Sequence, residues 1–238
     1  MSGGGQAALI TGASGVLGGA LVDAFLASGW TVVAGRHRRE VRQREGAFHV
    51  VPLDARRDED WAAAATAVSA LGVPLGMVVH NAGFPAAGLV ARMGWEDWDD
   101  AMDSMTRPVV AGTRALLPLM ERAGGGHVLA VGSHAMRLGG AGQSAYAAAK
   151  AAMVGACRAL AAELAPGNIR VNVLLPGLLD GPMLAGLSEE ERRRRLSATL
   201  LGCPNDPSEA ARFAVFLAGT RSVTGQVFAM DSRPMAWA

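Results

Sequence analysis

Glycines at positions 12, 15 and 18 stand between the apolar run Ala7–Thr11 and a segment that reads as a helix as far as Ala27, stopped by Gly29. A strand that passes through such a loop directly into a helix is the start of a βα unit. Small residues let the turn be tight and let its backbone lie close to a ligand, and the helix N-terminus that follows attracts negative charge. The pattern therefore predicts a pyrophosphate cradle for a dinucleotide, and it forces the next strand to lie parallel to the first.

The rest of the chain continues this alternation. Strands are expected at Trp30–Ala34, Phe48–Leu53, Leu75–His80, His127–Val131, Ile169–Leu174 and Gln226–Met230. Helices are expected around Asp58–Leu71, through the Ala-rich run that carries Tyr146, and at Pro207–Ala218. Trp95–Met105 and Val109–Glu121 read as one long helical stretch kinked near Pro108. The fold class is α/β: a Rossmann-type doubly wound sheet of about seven parallel strands flanked by helices. Residues 1–238 are expected to form a single domain, with no repeat and no linker. Residues 178–207 break the alternation and are placed to be a substrate lid. The lid's apolar residues Met183, Leu184, Leu187, Leu196, Leu200 and Leu201 either face substrate or pack on the body. The run Arg192–Arg195 reads first as a solvated helix face.

Composition narrows the classes. A chain of 238 residues, 50% of them apolar, can bury one sizeable core. A net charge of +1 offers no electrostatic case for nucleic acid. No apolar run reaches the roughly 20 residues of a membrane span, and the opening Met1–Gln6 lacks the features of a secretory signal. The two cysteines, Cys157 and Cys203, have no metal-ligand spacing, so no metal is expected and a reducing, cytoplasmic setting fits best.

The chemistry concentrates between Ser133 and Lys150. Tyr146 and Lys150 are four apart in an alanine run, which puts both on one helix face. An ammonium beside a phenol favours the phenolate and is expected to pull the Tyr146 pKa down from about 10. Tyr146, the only tyrosine of the chain, is thus a candidate proton donor to a carbonyl oxygen, with Ser133 delivered beside it by the end of the preceding strand. At the end of the second strand, where an acidic residue would meet the hydroxyls of an unphosphorylated ribose, stands Gly35-Arg36-His37-Arg38-Arg39. Guanidinium groups suit a phosphate, favouring NADPH over NADH; the other reading is a solvated basic helix start. Asp54 either caps a helix or contacts the adenine. Asn81-Ala82-Gly83 either lies against the cofactor or is a plain strand-to-loop turn.

Taken together, Thr11-Gly12…Gly18, Asp54, Asn81-Ala82-Gly83, Ser133, Tyr146-x-x-x-Lys150, Val171-Asn172 and Pro176-Gly177 resemble the short-chain dehydrogenase/reductases over nearly the full length. Leu89–Met93, Gly142-Gln143 and Thr224-Gly225-Gln226 make the chain most similar to the 3-oxoacyl-[acyl-carrier-protein] reductases. The resemblance implies an NADPH-dependent ketoreductase in which Ser133, Tyr146 and Lys150 are catalytic. It implies cofactor contacts from Gly12, Ser14, Gly15, Val16, Leu17, Gly18, Arg36, His37, Asp54, Ala55, Asn81, Ala82, Gly83, Tyr146, Lys150, Pro176, Gly177 and Leu179. It also implies a homotetramer, or a homodimer, and a substrate that is either carried by acyl carrier protein or a free small ketone or alcohol. A non-catalytic NADPH-binding subunit is the remaining alternative.

Four departures from the family pattern are visible. The middle glycine falls at 15, leaving Val16 in its usual place. Met105 replaces an Asn that helps hold a proton-relay water, which shifts that task to a backbone carbonyl, to Ser104 or Thr106, or to water. The Thr after Pro-Gly is replaced near Asp180-Gly181. The basic carrier-docking positions carry Ala123-Gly124-Gly125 and Ala165-Pro166-Gly167, which leaves Arg122, Arg158 or Arg192–Arg195 to meet a carrier.

Overall fold

The computed structural model of the protein describes residues 5–83 and 88–233, with only the backbone of Pro182 and Met183. Its elements in chain order are β1 Ala7–Ile10, α1 Val16–Ala27, β2 Thr31–Arg36, β3 Phe48–Pro52, α2 Asp58–Ala70, β4 Leu75–His80, α3 Trp95–Met105, α4 Arg107–Arg122, β5 Gly126–Val131, α5 Ala135–Leu138, α6 Ser144–Leu164, β6 Ile169–Leu175, α7 Pro182–Ala185, α8 Glu189–Ser197, α9 Pro207–Ala218 and β7 Val227–Ala229. The seven strands form one sheet in the order β3-β2-β1-β4-β5-β6-β7, and every pairing is parallel. The expected α/β doubly wound sheet is therefore what forms.

Strand composition explains the layering. Both faces of a parallel sheet are covered by helices, so its central strands are apolar throughout; all of β4 is buried. Alternate residues serve opposite cores. Leu9, Val33 and Val78 join Trp61, Leu116 and Met153 on one side, while Ile10, Val32 and Val79 join Leu21, Phe25 and Ala214 on the other. The chain winds outward from β1 to β3 and then returns to β4 on the other side of β1. That reversal opens a crevice at the carboxyl ends of β1 and β4, where ligands of such sheets bind.

Two local expectations are corrected. α3 and α4 are separate helices that part at Thr106, and Pro108 lies in the first turn of α4 rather than at a kink. A proline there lacks only an N–H that has no helical partner anyway. The basic stretch after β2 does not start a helix, since residues 37–47 are irregular as far as β3. Among the described residues, no helix is long and apolar enough to cross a membrane, and no group of three or more His, Cys, Asp or Glu could hold a metal.

Two histidines are locked into the interior. Burial drives His80 down to about 3 and is also the main cause of the fall of His127 to about 4. Both are therefore neutral in the folded state, whereas unfolding frees them to protonate below about 6.5. Their stabilising contribution is complete above that pH and is lost as pH falls toward 4. Each histidine is expected to contribute a slope on the order of 1.4 kcal/mol per pH unit in that window. Urea unfolding from pH 7 to 4 should show this decline, and His80→Gln should flatten it.

Candidate active site

The exits of β1 and β4 are knotted together by side chains. The Thr11 hydroxyl accepts from the backbone N–H of Asn81 (3.0 Å) and of Ala82 (2.9 Å). The Asn81 side-chain amide donates to the Thr11 and Gly12 carbonyls, each at 3.1 Å. Asn81-Ala82-Gly83 is thus a turn held against the glycine loop. Gly12 has φ +64°, and a Cβ there would lie 2.9 Å from the Ala82 Cα. At Gly18 a Cβ would lie 2.1 Å from the Gly12 carbonyl oxygen, so only glycine fits. Gly15 is different. It is the N-cap of α1 in extended backbone that any residue adopts, and it provides no side-chain cap. The first-turn N–H groups of α1, from Val16, Leu17 and Gly18, therefore have no cap and stand ready for a phosphate.

The side chains beside that loop divide. Ser14, Gly15 and Val16 are exposed at its rim, whereas Leu17 turns into the core. Val16, in place of the usual glycine, lies against the segment from 178 to 207: a Cβ on Gly181 would sit 3.0 Å from its Cγ2. The backbone cradle and uncapped helix start fit the pyrophosphate of a dinucleotide.

At the far end of the crevice, Asp54 does not cap α2, whose N-cap is Arg57. Its carboxylate accepts from Arg56 through the side chain (2.8 and 3.0 Å) and through the backbone N–H (3.1 Å). This holds it well below the usual carboxylate range, at about 2, with His37 Nε2 3.2 Å away. Arg36 ends β2 and donates to the exposed Glu40 at 2.7 Å, a bond that a phosphate could replace. Ala55 packs against the core and accepts from the Trp61 indole at 2.9 Å.

β5 delivers Ser133 to the opening of the same crevice, beside α6. Ser133 lies near enough to Tyr146 for its hydroxyl to lower the pKa of the phenol. The Lys150 ammonium lies 6.0 Å from the centroid of the Tyr146 ring, and a Cβ on Gly83 would come within 3.8 Å of it. The three side chains expected to act together are therefore brought together, against the β4 turn. The electrostatics differ from the expectation. Burial raises the Tyr146 pKa above 10.0 and the Ser133 hydrogen bond opposes that rise; Lys150 is not the dominant influence. Burial also lowers Lys150 to about 8, and its ammonium donates to the Val131 carbonyl at 2.6 Å.

Met105 is buried at 2% exposure beside Gly83, in a small apolar cluster with Ala101, Ala145 and Ala149. The two neighbouring hydroxyls considered as substitutes point elsewhere. Thr106 donates to the Ala149 carbonyl (2.8 Å) and Ser104 to that of Ala101 (3.4 Å). The Lys150 ammonium has a backbone partner in the Val131 carbonyl.

Pro176 is buried at the exit of β6, followed by Gly177 at φ +81°. Asn205, which sequence reasoning missed, staples this exit. Its side-chain amide donates to the Met230 carbonyl, its backbone N–H to the Leu178 carbonyl at 2.8 Å, and its carbonyl accepts from Asp180 at 3.0 Å. Leu179 is bridged to it. Within the segment from 178 to 207, Leu184 is buried while Leu200 and Leu201 are 77% and 75% exposed; the side chain of Met183 lies outside the described residues.

A family model described as "Enoyl-(Acyl carrier protein) reductase" matches residues 12–232. The chain is 35% identical to a 3-oxoacyl-[acyl-carrier-protein] reductase of Thermotoga maritima, over 95% of this chain and 96% of that one. It is 36% identical to a protein of the same name from Pseudomonas aeruginosa, over 93% and 94%. A 3-alpha-(or 20-beta)-hydroxysteroid dehydrogenase of Mycobacterium tuberculosis is 32% identical over 98% and 90%. The chain belongs to the short-chain dehydrogenase/reductase family. It is a nicotinamide-dependent oxidoreductase acting between CH–OH and C=O.

Because Tyr146 is the only tyrosine, its ionisation can be followed by ultraviolet absorbance without interference from a second phenol. Ser133→Ala should raise its pKa further, because it removes the influence that opposes the effect of burial. Gly18→Ala should abolish cofactor binding in a fluorescence titration.

Proposed function

We propose that this chain reduces a 3-oxoacyl thioester, presented on an acyl carrier protein, to the 3-hydroxyacyl product at the expense of NADPH. The observation that carries the reading is the meeting of Ser133, Tyr146 and Lys150 beside the dinucleotide cradle, in a chain whose relatives bear that reductase name. The bound nicotinamide supplies the hydride. Gly12 to Gly18 hold its pyrophosphate, Asn81 to Gly83 and Pro176-Gly177 line its course, and Arg36 with His37 meets the 2′-phosphate end.

Tyr146 gives its proton to the ketone oxygen. Its raised pKa suits that direction, since the phenol is still protonated at neutral pH. Ser133 donates a hydrogen bond to the same oxygen, and the Lys150 charge stabilises the phenolate left behind. The free cysteines Cys157 and Cys203 fit a reducing cytoplasmic setting. The exposed apolar Val110 on α4 and Phe216 on α9 support assembly as a homotetramer or homodimer.

A free small ketone or secondary alcohol is the second reading. It is favoured by the 32% identical hydroxysteroid dehydrogenase and by the uncharged residues at the usual docking positions. The deciding assay is NADPH oxidation with a 3-oxoacyl group on acyl carrier protein and on pantetheine. Faster turnover on the carrier supports the first reading; equal turnover, or activity with cyclic ketones alone, supports the second. Tyr146→Phe should lower kcat by about two to four orders of magnitude. The rate should fall above pH 8, as Lys150 loses the charge it carries below about 8. Arg36→Ala should raise the KM for NADPH about tenfold or more, the loss of a charge-assisted hydrogen bond, and leave that for NADH unchanged.

A further inference from the structure

His134, Asp231 and Arg233 form a buried polar cluster that the reaction as described does not use. His134 directly follows Ser133 at the exit of β5, while Asp231 and Arg233 follow β7, two places away in the sheet. Their side chains meet across the exit of β6, which carries Pro176-Gly177. The Asp231 side chain is fully buried and that of His134 is 5% exposed, with Nε2 3.2 Å from Asp231 Oδ2. Arg233 donates to the same carboxylate. A carboxylate this deep is tolerated only when it is paired and hydrogen-bonded, and Arg233 supplies the pairing. His134 Nε2 has no aligned hydrogen bond within the protein; a small rotation of either group would make one with Asp231.

The same short segment holds the lid. The Ser232 carbonyl accepts from the Leu200 N–H at 3.1 Å, and the Ser232 hydroxyl accepts from the Leu201 N–H at 3.3 Å. The Met230 carbonyl accepts from Asn205, and the Met230 N–H donates to the Leu175 carbonyl at 2.9 Å. Residues 230–233 thus touch the β6 exit, the lid and, through Asp231, the residue next to Ser133.

We infer that Asp231, clamped by Arg233, is a positioning residue for the reduction: through His134 it fixes the loop that aims the Ser133 hydroxyl at Tyr146. Arg233 fixes the Asp231 carboxylate, the carboxylate fixes the His134 ring, and the ring fixes the first turn after β5. The Ser133 hydroxyl has little else to orient it: among the described residues its hydrogen bond is from the Ala135 N–H, at 3.2 Å. A shift of a few tenths of an ångström in that turn is enough to weaken its bond to Tyr146.

This inference rests on the reading of Ser133 and Tyr146 as the reducing pair, and the test separates the two. Protein labelled with 13C at the tyrosine Cζ gives one signal, from Tyr146, whose position reports the bond from Ser133 and is calibrated by Ser133→Ala. Asp231→Asn and His134→Phe should each move that signal toward the Ser133→Ala position, and each should lower kcat about tenfold, with NADPH affinity within about twofold of the parent. The double variant should go no further than either single one. His134→Gln, whose amide reaches as far as Nε2, should keep the parent signal. An unmoved Tyr146 signal in His134→Phe, or a double variant equal to the sum of the singles, overturns the inference. If Asp231→Asn does not fold, His134→Phe against His134→Gln decides alone. Should the parent protein reduce no ketone, the proposed function fails while the Tyr146 signal still judges the positioning.

Discussion

Everything at the mouth of this sheet depends on the bond network between Thr11 and Asn81. Parallel strands end in loops with no hairpin to hold them, so the carboxyl ends of β1 and β4 would otherwise splay at the point where the winding reverses. One hydroxyl accepting two backbone N–H groups, and one amide donating to two carbonyls, satisfies the polar groups freed where the ladders stop. The consequence reaches further than local stability. By drawing the β4 turn onto the glycine loop, the network leaves no room for side chains at Gly12, presses Gly83 toward Lys150 and Met105, and so fixes both walls of the crevice at once.

The electrostatic character of the site follows from depth. Tyr146 and Lys150 share a helix face, and spacing alone suggests that the cation depresses the phenol. Depth reverses that. Desolvation disfavours phenolate and ammonium alike, so the two pKa values move apart, the phenol rising above 10.0 and the ammonium falling to about 8. Reduction needs a phenol that keeps its proton until the carbonyl oxygen becomes basic, together with a nearby charge that stabilises the phenolate once it forms. A buried tyrosine beside a lysine whose hydrogen bond goes to a backbone carbonyl meets both requirements without a direct ion pair.

The layout of the sheet and the triad of candidate side chains were legible because both are periodic. Apolar strand runs, the alanine-rich helix and the glycine spacing state their geometry within a few residues, and β4 and α9 begin and end where the pattern says. What stayed hidden depends on contacts between distant segments. Nothing near Asn205 announces that its side chain will tie the β6 exit to Met230, and nothing in Ser-His-Ala-Met marks His134 as the neighbour of Asp231. The spacing groups Gly15 with Gly12 and Gly18, yet its backbone is ordinary; the close approach that demands glycine lies at Gly18 and at Gly12. Of the two readings of Asp54, the structure overturns the cap, since Arg57 is the N-cap of α2 and Arg56 binds the Asp54 carboxylate.

Met105 shows how a single replacement redistributes work rather than removing it. An amide at that place could hold water beside Lys150; a thioether cannot, and it packs with Ala101, Ala145 and Ala149 as one more core side chain. Thr106 and Ser104 give their hydrogens to helix carbonyls, so neither stands in for the missing amide as a donor. The polar groups gather on the other wall, near Ser133 and Tyr146, where residues 178–207 and the C-terminal segment converge through Asn205 and Ser232. A site sealed on one wall puts more weight on the arrangement of the other, and there the buried Asp231 stands.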